Sequence, residues 1–144
     1  MSEILDLSLI EAKNALIKKE LSPVDLTKEY INSAEEKKEL NFFNKFTPEL
    51  ALDMANASKE RIQKNEAGLL EGLPIGIKDL FATNGTLTTA SSKILSNFVP
   101  NYESTVSKNL WESGAIMLGK LSCDEFAMGS SNETSCFGSV LNPW

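Results

Sequence analysis

The chain has 144 residues, 42% hydrophobic and 24% charged, with a formal net charge of −6. That is globular composition, long enough for one domain with a core, and its acidic balance argues against a surface built to neutralise nucleic-acid phosphates. It has no histidine, so Ser–His–Asp and Cys–His mechanisms and the commonest catalytic zinc ligand are excluded within these residues. Any chemistry has to come from Lys, Ser, Thr, Asp, Glu or Cys.

Residues 1–70 hold 23 of the 34 charged side chains, whereas all eight glycines fall at or after Gly68. The first half therefore reads as solvent-facing helices and the second as a loop-forming scaffold that must turn tightly. Ser8 and Glu11 have capping-box spacing, followed by Ala12, Ala15 and Leu16 at helical intervals. Ser22-Pro23-Val24-Asp25 starts a second helix, with Leu26, Tyr30, Ile31 and Ala34 as its apolar face and Glu35–Lys38 as its wet side. Asn41–Thr47, with Phe42, Phe43 and Phe46, reads as a short strand or buried connector. Thr47-Pro48 opens a third helix through about Lys64, whose expected buried stripe is Leu50, Met54 and Ala57.

Beyond Gly68 the period changes. Leu73–Phe81 reads as a strand entering the core, and Asn84-Gly85 predicts a type I′ hairpin with Thr86–Thr89 returning. Glu103 or Ser104 can cap a helix through Glu112 that turns Val106, Leu110 and Trp111 inward and stops at Gly114. Ala115–Leu118 is a buried strand. Helices followed by strands with intervening helices point to an α/β or α+β layered domain. Cys123 and Cys136 are too few and too far apart for a redox or metal motif and read as free thiols in a reducing compartment. The acidic N-terminus has no apolar signal region and no apolar run approaches a membrane span, so a cytoplasmic location is expected. The Asn-X-Ser/Thr triplets at Asn56, Asn84 and Asn132 then carry no glycan.

Two regions could carry chemistry. Lys78 lies at the end of an apolar, glycine-interrupted strand, where burial would disfavour its ammonium form and make it a usable base. Asp79 faces the other way if the segment is a strand and need not neutralise it; the bland alternative is a lysine snorkelling from an edge strand. Gly119–Gly138 gathers Ser122, Ser130, Ser131 and Ser135 with Gly129, Asp124 and Glu125. It could offer hydroxyls and amides to a polar ligand, or it could be turn and cap residues. Asp124 and Glu125 are adjacent and diverge, which makes them a poor acid/base pair.

Gly72-Leu73-Pro74-Ile75-Gly76-Ile77-Lys78-Asp79 resembles the lysine motif of the amidase signature family. The resemblance continues through Thr88-Thr89, Ser92–Leu95, Val99–Tyr102, Ser104–Val106, Gly119-Lys120, Asp124–Ser131 and Asn142-Pro143-Trp144. The block Asp124-Glu125-Phe126-Ala127-Met128-Gly129-Ser130-Ser131 is similar to the branch that serves as A subunits of glutamyl-tRNA(Gln)/aspartyl-tRNA(Asn) amidotransferases. The resemblance implies an α/β amidase signature fold: N-terminal helices leading into part of a mixed sheet covered by helices. Residues 1–144 would form the front portion of a single amidase domain, mainly helical over 1–67 and starting the sheet core over 68–144.

It also implies a chemistry free of imidazole. An unprotonated lysine takes a proton through a bridging serine so that a second serine attacks an amide carbonyl. By motif position Lys78 is that lysine, and Met128, Gly129 and Ser130 line the acyl pocket as substrate-binding residues. The implied activity is hydrolysis of glutamine to ammonia. The ammonia is used, with B and C subunits, ATP and Mg²⁺, to amidate mischarged Glu-tRNA(Gln) or Asp-tRNA(Asn). No cofactor or metal is expected on this chain. The family's two serines follow the Asn-Pro-Trp block, so residues 1–144 alone are expected to be inactive; Ser130 and Ser131 match a different motif. Ser122-Cys123 departs from an Asn-Met pair common in the family. Another amide-hydrolysing member of the family, or a non-catalytic remnant, remains the alternative.

Overall fold

The structure, a computed structural model, describes residues 3–144. Its elements in chain order are α1 (Leu9–Ile17), α2 (Pro23–Glu36), β1 (Phe43–Phe46), α3 (Pro48–Gln63), β2 (Pro74–Lys78), α4 (Thr105–Glu112) and β3 (Ile116–Leu121), with short 3₁₀ turns at Glu3–Asp6, Lys38–Leu40, Lys93–Leu95 and Glu125–Ala127. The strands form one sheet in the order β1-β3-β2. β1 runs antiparallel to β3. The bonds from Ile116 N–H to the Leu73 carbonyl and from Asp79 N–H to the Leu121 carbonyl climb both strands in the same direction, so β2 and β3 are parallel. The result is a mixed sheet in an α/β chain, as expected from the resemblance. Among the described residues no helix is long and apolar enough to cross a membrane.

The chain divides into two compact units, the first made of residues 1–36, 47–75 and 109–118. Local signals start its helices. Ser8 Oγ accepts from Glu11 N–H while the Glu11 carboxylate accepts from Ser8 N–H, closing the expected capping box. Ser22 Oγ accepts from Val24 N–H, with Pro23 as the first residue of α2. The core joins Ala12 and Leu16 of α1, Leu26 of α2, Ile62 of α3 and Leu73.

The expected stripe on α3 is out of phase. α3 buries Ala51, Ala55, Ser58 and Ile62, whereas Leu50 is 39% exposed, Ala57 is exposed and Met54 is only half-buried. Small side chains suit a helix that lies close to its neighbours, and they carry little hydrophobic signal, so the larger Leu and Met drew the reading to the wrong face.

Glu71 is the buried charge of this unit. Its carboxylate accepts from Arg61 Nε and Nη2 and from Gly68 N–H at 2.8–3.1 Å. Burial pushes the carboxyl up. The Arg61 and Gly68 hydrogen bonds outweigh that and hold it below its usual value. Gly114 makes room for it. Its φ is +90°, and a Cβ there would lie 2.5 Å from Glu71 Oε2.

The second unit comprises residues 37–46, 76–108 and 119–144. Its β1–β3 register pairs Phe43 with Leu121 and Lys45 with Lys120. Two steps along β1 thus match one along β3, and Asn44 is the extra residue of a bulge, a device that re-aims a side chain.

Asn84-Gly85 does turn the chain, through a bond from Thr86 N–H to the Thr83 carbonyl at 3.0 Å. Only Gly85 has positive φ (+70°), which fits a type II pattern and not type I′. Thr86–Thr89 is not a returning strand. The turn instead bonds to 100–103, with Asn84 N–H on the Glu103 carboxylate and Gly85 N–H on the Pro100 carbonyl.

In α4, Ser104 Oγ accepts from Ser107 N–H as the cap. Ser107 is buried, its hydroxyl donating to the Glu103 carboxylate. Leu110 and Trp111 are half-buried, but Val106 is 49% exposed because this face of the helix turns on Ser107. Cys123 is buried and Cys136 half-buried, both as free thiols.

Gly114→Ala is expected to destabilise the protein by about 2–4 kcal/mol, from left-handed backbone strain plus displacement of the Glu71 carboxylate. The midpoint of denaturant unfolding measures it; an unchanged midpoint would contradict the account of Gly114.

Candidate functional site

β2 alternates as a strand should: Ile77 is buried, Lys78 exposed and Asp79 fully buried. The expected opposition of Lys78 and Asp79 is present, but the expectation that strand position buries Lys78 is corrected: it is exposed. The lysine that is buried is Lys120 of β3, with no exposed surface.

Lys120 Nζ donates to the Phe81 carbonyl at 2.6 Å and to Thr88 Oγ1 at 2.8 Å, and lies 3.6 Å from Asp79 Oδ1. Burial holds its pKa below the ordinary lysine value, and the facing Asp79 carboxylate partly counters this. Asp79 is in turn saturated. It accepts from Thr89 N–H at 3.2 Å, from Thr89 Oγ1 at 2.5 Å and from Asn44 Nδ2 at 2.9 Å. The β1 bulge is what carries Asn44 to that carboxylate.

The segment after Thr89 is strained. Ala90 and Ser91 have φ of +49° and +55°, and Phe126 and Ala127 have φ of +52° and +58°, a region that L-residues occupy only when their surroundings over-determine it. Here they do. Ala90 N–H bonds the Asp79 carbonyl, Phe126 N–H the Ala90 carbonyl, and Cys136 N–H the Ser91 carbonyl, at 2.9–3.0 Å. Ser91 Oγ, fully buried, accepts from Asn44 Nδ2 and Cys123 N–H. Ser92 Oγ donates to Glu125 Oε1 at 2.6 Å.

Asp124 organises the remaining loop. Its carboxylate accepts from the N–H groups of Ser131, Asn132, Glu133 and Thr134 and from Thr134 Oγ1 at 2.9–3.1 Å. The Asn132 and Thr134 backbone hydrogen bonds are the chief reason its pKa falls to about 2. Gly129 permits this, since a Cβ there would lie 2.5 Å from Asp124 Cγ. The adjacent Asp124 and Glu125 thus serve the loop separately, as their spacing implied.

The proposed pocket residues Met128, Gly129 and Ser130 are exposed, Met128 by 83%. They follow the strained Phe126–Ala127 turn and are tied to the Lys78 end of β2 by two backbone steps, Asp79 to Ala90 and Ala90 to Phe126. Sequence reasoning did not single out Lys120, Asn44 or Ser91. The available signal was a lysine closing the apolar run Ala115–Leu121, in a strand with no polar alternation. Among the described residues no group of three or more Cys, Asp or Glu side chains could hold a metal ion.

A family model described as Amidase matches residues 25–144. Two relatives, the glutamyl-tRNA(Gln) amidotransferase A subunits of Beijerinckia indica and Methylocella silvestris, are 57% and 58% identical over the whole chain. The chain spans 29% of the length of either relative. Among solved structures, one from work on the evolutionary origins of an s-triazine catabolic enzyme is 30% identical with a TM-score of 0.90, over 95% of this chain and 31% of that one. The glutamyl-tRNA(Gln) amidotransferase A subunit of Thermotoga maritima is 44% identical with a TM-score of 0.52, over 55% of this chain and 18% of that one.

The carboxylate of Asp124 has a depressed pKa in the folded protein, so its hold on the 131–134 loop is complete above the ordinary value of 3.8 and is lost as pH falls through about 2. Side-chain carboxyl NMR should show a midpoint near 2 for Asp124, with the Asn132 and Thr134 amide shifts following it. A midpoint at the ordinary carboxylate value would remove Asp124 from its role as loop organiser.

Proposed function

The chain belongs to the amidase family, and on that footing we propose that it is the lysine-bearing front portion of the glutaminase (A) subunit of a tRNA-dependent amidotransferase. The support is its 57–58% identity over 144 residues to glutamyl-tRNA(Gln) amidotransferase A subunits, together with a lysine that stands in solvent on a firmly anchored strand end. Lys78 Nζ, when unprotonated, accepts a proton relayed by a bridging serine. A second serine thereby becomes the nucleophile toward the glutamine amide carbonyl, and the proton passes to the departing ammonia. Both serines are assigned to the further length that the relatives possess. Met128, Gly129 and Ser130 line the acyl pocket at the mouth of the same site.

The ammonia serves conversion of Glu-tRNA(Gln) to Gln-tRNA(Gln), or Asp-tRNA(Asn) to Asn-tRNA(Asn), in a cytoplasmic assembly with B and C subunits. ATP and Mg²⁺ supply the activation of the tRNA-bound carboxylate there; no residue of this chain is assigned to hold them. Hydrolysis of a different amide is the second reading, motivated by the family match over residues 25–144, which is described only as Amidase. Comparing glutamine with simple aliphatic and aryl amides as substrates separates the two.

In the whole protein, Lys78→Ala should lower ammonia release from glutamine by about 10³-fold or more, with an unchanged circular dichroism spectrum because the side chain is exposed. Turnover near the parent rate would make Lys78 structural. Residues 1–144 expressed alone should release no ammonia from glutamine; sustained turnover by them would mean that the nucleophile lies within this chain.

A further inference from the structure

We propose that Lys120 and Asp79 form a positioning pair that sets the Lys78 strand end against the Met128–Ser130 segment. The proposal rests on the glutaminase reading for its catalytic consequence, but its geometry stands on its own.

A fully buried ammonium and carboxylate are costly to desolvate, and an apolar side chain of similar size would fill the same space on β3 more cheaply. The groups that Lys120 reaches give the pair its role. The ammonium takes the Phe81 carbonyl, three residues past Lys78, and the Thr88 hydroxyl, where the same excursion returns. It therefore clamps the entry and exit of the 79–89 excursion to one point. Asp79 completes the clamp from below by gripping Thr89 through its side chain and Ala90 through its carbonyl.

From that point the connection runs outward. Ala90, held in a left-handed conformation, receives Phe126 N–H on its carbonyl, and Ser92 Oγ reaches Glu125. Phe126 is two residues from Met128. The strand end carrying Lys78 and the turn carrying Met128–Ser130 thus share one anchor, at Asp79 and Lys120, although neither of these two residues is exposed to a substrate. Neither is a catalytic residue; both act through the backbone they hold.

The test compares the whole parent protein with Lys120→Met, which keeps side-chain length without charge. Hydrogen exchange is read by mass spectrometry and glutamine hydrolysis by ammonia release. Amides at 89–92 and 125–127 should exchange about tenfold faster or more in the variant, while those of α3 keep their protection. Displacement of the site by a fraction of an ångström to one ångström should lower kcat about 100-fold, with KM nearly unchanged. Asp79→Asn, which lets Lys120 shed its proton and stay buried, is read in the same way if Lys120→Met does not fold.

Unchanged protection at 89–92 and 125–127 would overturn the proposal. So would an equal loss in α3, a rise in KM at constant kcat, or collapse of both variants, each of which makes the pair ordinary core. If the parent protein releases no ammonia from glutamine, the glutaminase reading fails, and the exchange measurement still decides the anchor.

Discussion

A buried charge must be answered by partners already in place, and in the unit that carries Lys78 the contacts around the end of β2 can be traced to that demand. The ammonium of Lys120 has no exposed surface, and its acceptors come from the chain following β2: Asp79, Phe81 and Thr88. Asp79 brings a second requirement, since its own oxygens need donors. Thr89 supplies a backbone and a hydroxyl group, and Asn44 supplies an amide because a bulge turns it inward. The first unit solves the same problem with other residues: Glu71 is matched by the planar fork of Arg61, and Gly114 leaves space for the carboxylate. Each unit thus holds a buried charge whose neighbours leave little freedom to rearrange.

The helices were legible where the chain announces its own boundaries. Ser8 with Glu11, Ser22 with Pro23, Ser104 and Gly114 act through hydrogen bonds or dihedral angles local to themselves, so a short stretch of sequence contains the whole cause. β2 and β3 were legible for a similar reason, through short apolar runs beside Gly72, Gly114 and Gly119, whereas β1 carries only its phenylalanines as a signal. The inward face of α3 was not, because Ala51, Ala55 and Ser58 are buried by how closely the helix is approached, which their composition does not record.

Asn84-Gly85 shows the limit of local turn chemistry. The dipeptide permits two left-handed residues, but Glu103 and Pro100 claim the backbone amides, and one left-handed residue suffices. The two lysines show it again. An apolar neighbourhood in sequence suggested burial for Lys78, yet strand alternation sends it outward; Lys120 lies in a strand buried on both faces, where partners 32–41 residues away in the chain receive it. Motif resemblance singled out Lys78 and Met128–Ser130 without any of that geometry, whereas the contacts of Asp79 with Asn44 and Lys120 join positions 35–41 residues apart in the chain.

The left-handed residues Ala90 and Ser91 also bear on the order in which the chain can organise itself. A local turn starts that conformation, with Ser92 N–H on the Thr89 carbonyl and Ser91 N–H on Thr89 Oγ1, but the Ala90 and Ser91 carbonyls are taken by Phe126 and Cys136, some 36 and 45 residues further on. Closing loops of that length is slow compared with forming α1 or α2, whose first turns are secured by neighbours three residues away. During synthesis the helices of the first unit can therefore be in place while the Lys78 strand end is still without its anchor. The surroundings of the Lys78 strand end are in that sense completed late, because the Ser91 carbonyl gains its partner only when Cys136 is in place.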